Sequence, residues 1–393
     1  MNTGKWRAAI LAVVPLVMVL ISGCSGFWEP PSDSGGNGGG TSGSSGAFYV
    51  LNQQTKQIVG YTISSGSLAA VSGSPYTLSS APYSIAVDPT GNFLYVGTAT
   101  GIFLYSIGSD GQLTLSNNAN VISQDIATTM QVDSTGQWLL EAGPNLAELL
   151  AIRINPSTGI PLSTTEQYTL LPASTVQQLT ISPDNAHVFV ALGSSGTQDV
   201  TFAAGQVTPF GSTFNIPTFK IAGAALSVAV DPTNRLLYIG ETAALSSTTN
   251  AGGLRVLDYN TLNELSGSPF ATGGLSPFVI LPLPYGTNKG NYVYVANRNV
   301  SGSSTGLITG FIVAASGTSY ALTGMSSTAA AGIAPVGMVQ ESTGNYLLVI
   351  NSGGNPDLQV FTFDSTTAGK LDSALTSATG IDPVQASAIA AVP

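Results

Sequence analysis

Only 8% of this 393-residue chain is charged, so the few ionic side chains are worth locating first. Glu141, Glu241 and Arg298 take comparable places in a repeating unit, at or one residue beyond the start of a loop that follows an apolar strand. Two carboxylates beside a guanidinium can grip a sugar through its hydroxyls. They can also polarise an ester carbonyl while a carboxylate moves a proton. These three are the candidate catalytic residues. Asn52, Asn297 and Asn351 open the same loop in other repeats, and Gln124, Asp125, Gln177 and Gln178 stand in the loops that return from the other side. Asn52, Gln124, Asp125, Gln177, Asn297 and Asn351 therefore form a candidate ligand-binding rim. The competing reading of the whole set is a solvated polar rim around a water-filled channel.

Other chemistry finds little support. His187 is the single histidine, and it holds a position that other repeats fill with Phe93, Trp138, Leu236, Tyr292 or Tyr346. That is a packing slot, so a Ser-His-Asp triad lacks its base. Gly302-Ser303-Ser304-Thr305-Gly306 has nucleophile-elbow spacing, but it sits in a Ser/Gly loop with no helix after it. There is no Cys/His cluster and no phosphate-binding loop, so neither a metal nor a cofactor is expected.

The elements that must position the rim are short strands. Ser84 to Gly97 reads as an apolar strand, the turn Asp88-Pro89-Thr90-Gly91, and a second apolar strand. Related units end their turns at Gly136, Asn185, Asn234, Gly290 and Gly344, at intervals of 45 to 56 residues. Asp88, Asp133 and Asp231 read as turn-formers. With the strands that follow each pair, every repeat supplies four strands, here called A to D. A period near 50 with a hairpin in each copy predicts an all-β propeller. Second strands begin near 47, 92, 137, 186, 235, 291 and 345, which predicts a seven-bladed β-propeller of four-stranded antiparallel blades. The first copy lacks an A strand, and the end of the chain, around 383–393, resembles one. The C-terminal strand is thus expected to pair into the first blade and close the ring.

Residues 1–23 have Lys5 and Arg7 followed by an apolar run from Ala8 to Ile21, a signal-peptide pattern. Ile21-Ser22-Gly23-Cys24 resembles the lipobox of bacterial lipoproteins, with Cys24, the lone cysteine, as the lipidated residue. A lone cysteine also leaves no internal disulfide. Residues 24–46 form a Gly/Ser linker too poor in apolar surface to fold. The expected organisation is a signal peptide (1–23), a lipidated linker (24–46) and a propeller (47–393). The expected location is the cell envelope, with Ser25 favouring the outer membrane. Without its leader the chain carries a net charge of about −12, which argues against nucleic acid. A monomer is expected.

The repeated Val-Asp-Pro-Thr-Gly units and the paired segments Leu265-Ser266-Gly267-Ser268-Pro269-Phe270 and Val71-Ser72-Gly73-Ser74-Pro75-Tyr76 resemble the seven-bladed propeller lactonases. The reference activity of that family is 6-phosphogluconolactonase. The resemblance covers residues 47–393 and implies hydrolysis of a sugar lactone. Two functions follow as expectations. One is a lipid-anchored binding or scaffold module for a glycan or an envelope protein. The other is a lactonase, acting on an unphosphorylated lactone because only Arg298 is placed to meet a phosphate.

Overall fold

The computed structural model describes residues 46–393, apart from 65–66, 145–146, 163–165, 174, 234, 284–290, 317–318, 355–356 and 377–384. The signal segment, Cys24 and all of the linker but Gly46 lie outside the described residues, as do Asn234 and Gly290. Among the described residues, no helix is long and apolar enough to cross a membrane.

The turn chemistry sets the strands. The Asp88 carboxylate accepts hydrogen bonds from the backbone N–H of Phe93 (2.7 Å) and Thr90 (3.1 Å). The Asp133 carboxylate accepts from Thr135, Gln137 and Trp138 N–H at 3.0, 2.8 and 2.7 Å. Asp231 accepts from Thr233 N–H (2.8 Å), and Glu341 does the same work for Thr343, Asn345 and Tyr346 at 2.7, 2.7 and 3.0 Å. Gly91, Gly136 and Gly344 follow with φ of +71°, +68° and +69°, a left-handed backbone that glycine adopts without strain. These acids are buried because they satisfy turn amides that would otherwise lack partners.

Among the described residues the strands form six hydrogen-bonded antiparallel sheets. Sheet I orders Ala386–Ala391, Ala47–Asn52, Gln57–Ser64 and Ser67–Ala70, with Tyr76–Thr77 also on Gln57–Ser64. Sheet II holds Pro82–Val87, Phe93–Thr98, Gly101–Ile107 and Leu113–Leu115. Sheet III holds Thr129–Val132, Trp138–Ala142, Glu148–Arg153 and Gln167–Leu170. Sheet IV runs from Gln178–Ile181 through His187–Ala191 and Thr197–Phe202 to Phe210–Ile216. Sheet V runs from Ala224–Val230 through Leu236–Ser246 and Ala251–Asp258 to Phe270–Ala271. Sheet VI contains Pro277–Pro282, Tyr292–Asn297, Thr305–Ser316, Ser319–Gln340, Tyr346–Gly353, Leu358–Phe363 and Leu371–Thr376.

The all-β propeller architecture with four-stranded antiparallel blades is present, but the expected division into seven such blades is not. Five sheets are blade-sized, four of them with four strands and one with five, and the sixth is a single sheet of seven strands. The cause is the 22-residue strand Ser319–Gln340. Its first part pairs with Thr305–Ser316 and its last part, from Ile333, pairs with Tyr346–Gly353. Between the two pairings, the run Ser326-Ser327-Thr328-Ala329-Ala330-Ala331 offers no breaker. Pro335 falls at a register shift, so the chain bends through a bulge and the ladder continues.

The C-terminal strand pairs with the first one, with Phe48 opposite Ala391 and Asn52 opposite Ala386. Apolar clusters fill the spaces between neighbouring sheets. Tyr49 and Leu51 meet Ile85 and Leu94 between sheets I and II, Leu140 meets Val188 between III and IV, and Phe48 and Val50 meet Leu348 and Ile350 between I and VI. Recurrent aromatic hydrogen bonds add to this packing. Tyr49, Tyr95 and Tyr294 hydroxyls donate to the carbonyls of Gly111 (2.6 Å), Gly159 (2.9 Å) and Gly369 (2.6 Å), and Trp138 Nε1 donates to Ala204 (2.7 Å).

Candidate functional site

The innermost strands touch one another in a closed circuit: Ala386–Ala391, Pro82–Val87, Thr129–Val132, Gln178–Ile181, Ala224–Val230, Pro277–Pro282, Ser319–Gln340, and back to the first. Inner strands present unpaired backbone groups, a liability in any sheet edge. Side chains cap several of them here. Gln131 Oε1 accepts from Ile181 N–H (2.9 Å), Gln178 Oε1 from Val228 N–H (3.0 Å), and Thr129 Oγ1 from Leu179 N–H (3.1 Å). Part of the glutamine content near the axis is therefore structural.

The circuit encloses a cavity of about 800 Å3. Gln53, Gln177, Arg298 and Gln385 line it, each one residue beyond the end of a strand. They mark the end of the channel opposite the Asp88 and Asp133 turns. Arg298 is the one charged side chain among the described residues that line it. Its backbone N–H donates to Ser276 O (2.9 Å), fixing where the side chain starts. The guanidinium carbon lies 3.2 Å from the centre of the Phe278 ring, a cation–π contact. Its Nε is buried with no hydrogen-bond partner. Burial lowers the guanidinium to about 10, which leaves it protonated at neutral pH. A planar cation backed by an aromatic face, with its Nε donor unpartnered, can bind a carboxylate or stabilise an oxyanion.

The other two catalytic candidates stand elsewhere. Glu241 is fully buried in sheet V, where its Oε1 accepts from Arg255 Nη1 at 2.6 Å and its Oε2 from Phe219 N–H at 2.8 Å. Arg255 also donates to Glu264 from Nε (2.8 Å) and to Pro217 O (2.8 Å). Glu241 thus serves an ion-pair network, and burial, which pushes its carboxyl up, is countered by Arg255. Glu141 lines a separate pocket of about 250 Å3 with Gln124, Asp125 and Glu148. Burial first, then the neighbouring carboxylates of Asp125 and Glu166, raise it to about 8. Glu141, Glu241 and Arg298 are therefore not brought together.

The asparagines of the rim are buried and bonded within the protein. Asn52 Oδ1 accepts from Thr55 N–H (3.0 Å). Asn297 exchanges hydrogen bonds with Thr272, through Oδ1 (2.9 Å) and Nδ2 (3.1 Å). Asn351 Nδ2 donates to Gln359 Oε1 (3.1 Å). Of the rim candidates, Gln177 reaches the channel, and Gln124 and Asp125 reach the Glu141 pocket.

His187 does fill an aromatic slot, stacked on Phe189 (ring centres 5.7 Å apart) and edge-on to Tyr259 (5.4 Å). It also has a polar partner that the repeat pattern hides, Asp199 Oδ1 at 2.7 Å from Nδ1. Sequence reasoning passed over Gln53 and Gln385 at the channel, and Arg255 and Glu166. A signal existed for Gln53 and Gln385, which adjoin the ends of strands already recognised as neighbours. For Arg255 no local signal exists, because its partner is 14 positions away on another strand.

No family model matches the chain, and no curated protein matches it. Solved structures do. A proposed 6-phosphogluconolactonase from Bacteroides fragilis superposes with a TM-score of 0.65 at 14% identity, covering 90% of this chain and 99% of that one. A second, from Bacteroides uniformis, gives 0.64 at 14%, covering 88% and 98%. The periplasmic gluconolactonase of Pseudomonas aeruginosa gives 0.65 at 17%, covering 88% and 99%. At these identities the likeness is one of fold: the chain has the β-propeller architecture of these lactonase-like proteins over nearly their whole length.

Proposed function

We propose that the central channel binds and hydrolyses a sugar lactone, with Arg298 as the electrophilic residue. The observation that carries this reading is the guanidinium of Arg298 at the channel end, its Nε unpartnered, the one charge that lines the cavity among the described residues. Water adds to the lactone carbonyl, the ring C–O bond breaks, and the products are a carboxylate and a free hydroxyl. Arg298 stabilises the oxyanion of the tetrahedral intermediate and then pairs with the carboxylate produced. No carboxylate or imidazole lines the cavity among the described residues, so the proton passes to solvent. A single cation suits an unphosphorylated lactone better than a phosphosugar. The fold likeness to a gluconolactonase supports the same direction.

The test is hydrolysis of D-glucono-1,5-lactone, measured by acid release above the spontaneous rate. Arg298→Gln is expected to lower kcat/KM by at least about tenfold, corresponding to about 1.4 kcal/mol of lost transition-state stabilisation. Turnover unchanged in that variant overturns the role of Arg298. A second reading rests on the same lack of a base: a binding module for carboxylated sugars at the cell envelope, or for an envelope protein. Gluconate binding that Arg298→Gln abolishes, with no turnover in the parent, selects it.

The location we propose is the envelope, with the monomeric propeller tethered through a lipid on Cys24. The signal-like run and the lone cysteine support this. Cys24→Ala is expected to shift the protein from the membrane fraction to the soluble fraction, with intact mass reduced by the acyl chains. Membrane retention of that variant would refute the anchor.

A further inference from the structure

A second site lies away from the channel, in sheet III. Glu141 is 1% exposed, and its Oε2 has no hydrogen-bond partner although it faces a pocket of about 250 Å3. An unpaired carboxylate oxygen at that depth is costly unless something meets it. What surrounds it is more negative charge. Asp125 and Glu166 each bring a carboxylate oxygen, and the three oxygens lie within 4.8 Å of one another. Ser123 Oγ adds a fourth oxygen, 3.1 Å from Asp125 Oδ2 and 3.4 Å from Glu141 Oε1. Among the described residues no lysine, arginine or histidine lines this pocket. Three convergent carboxyl groups with no organic cation beside them, one with an unsatisfied buried oxygen, form a set that could hold a metal ion.

From this geometry we infer that Asp125, Glu141 and Glu166 form a binding site for a calcium ion. The donors are all hard oxygens, with neither the nitrogen nor the sulfur that zinc and copper favour. Calcium holds oxygens at about 2.3–2.6 Å, so two of its ligands stand at most about 5 Å apart, and three carboxylate oxygens all within 4.8 Å of one another fall inside that reach. Magnesium demands near-ideal octahedral order and keeps several of its waters, which a flexible set of three carboxylates serves less well than it serves calcium. The ion would join three segments distant in sequence: the loop before Thr129–Val132, the end of Trp138–Ala142, and the approach to Gln167–Leu170. Its effect is therefore on the rigidity of sheet III. It takes no part in the chemistry at Arg298, which lines a different cavity.

The experiment uses the full chain, stripped with EDTA and dialysed, titrated with CaCl2 and then with MgCl2 by calorimetry. Thermal midpoints are recorded with and without about 2 mM calcium, near the affinity of extracellular calcium modules. Calcium is expected to bind with a stoichiometry of one and to raise the midpoint. Glu141→Gln and Glu166→Gln are each expected to weaken binding at least tenfold and to remove most of the thermal shift. Glu166 is only half-buried, so Glu166→Gln keeps the test open if Glu141→Gln misfolds; far-UV circular dichroism checks both. Neither heat nor thermal shift with calcium, tighter binding of magnesium than of calcium, or unchanged affinity in a folded Glu166→Gln protein would each overturn the assignment. Lactone turnover by the EDTA-treated protein is a separate readout, so failure here leaves the channel reading standing.

Discussion

Deleting residues 386–393 is expected to leave no soluble, folded monomer. The strand Ala386–Ala391 is the inner strand of sheet I, and it pairs with residues 48–52 across one register shift, at Ser387. Val392 N–H donates to Ala47 O (2.9 Å), and Val392 itself is 2% exposed in the cluster between sheets I and II. Its removal bares the edge of a strand whose residues Phe48 to Leu51 are all fully buried. It also breaks the contact circuit around the channel, since the same strand touches Pro82–Val87 on one side and Ser319–Gln340 on the other. Such a loss is comparable with the whole stability of a domain, about 5–15 kcal/mol, and the bared edge invites aggregation. Size-exclusion chromatography and thermal unfolding check this. A truncated protein as soluble and heat-stable as the parent would show that the sheets hold without closure.

Arg255→Ala is expected to cost about 3–5 kcal/mol, because it strands a charge inside sheet V. Glu241 is fully buried and Arg255 is 6% exposed. The arginine answers two carboxylates and the Pro217 carbonyl, and it lies 5.6 Å from the Phe219 ring centre. Removing it leaves Glu241 to be neutralised or hydrated at depth. Combining Arg255→Met with Glu241→Gln is expected to recover most of the loss. Glutamine still accepts from Phe219 N–H, and methionine fills the volume without a charge. Urea midpoints decide the matter. A loss below about 1 kcal/mol for Arg255→Ala, the range of surface pairs, would mean that Glu241 is better hydrated than its burial implies.

The parts of the fold that were legible are those whose cause is local. Asp88, Pro89, Thr90 and Gly91 make their turn with their own side chains and φ angles, so the repeat can be read directly. The position of Arg298 at a channel end follows from the same counting, since it stands one residue past the strand Tyr292–Asn297. What escaped depends on partners far along the chain. Glu241 looks like a rim acid until the register places Arg255 beside it. Glu141 looks like its equivalent, yet it faces Asp125 and Glu166, which arrive from two other connections. The continuous strand Ser319–Gln340 escaped for another reason. A missing loop leaves no residue type to mark it, and a repeat count inserts a boundary where the hydrogen bonding has none.

The pairing of the first and last strands also fixes how the molecule can be held. Ala47 and Val392 lie side by side near the Asp88 turn, where Val392 packs under Gly91. Both ends of the propeller therefore leave from one pole, and Gln53 and Arg298 belong to the other. A pull applied at Ala47 therefore acts at the pole opposite the one that Gln53 and Arg298 mark. That pull loads Ala47–Asn52 in shear between two flanking strands, so the hydrogen bonds must yield together and not one at a time. A handle attached there meets the strand that both neighbours hold, at the pole away from Arg298.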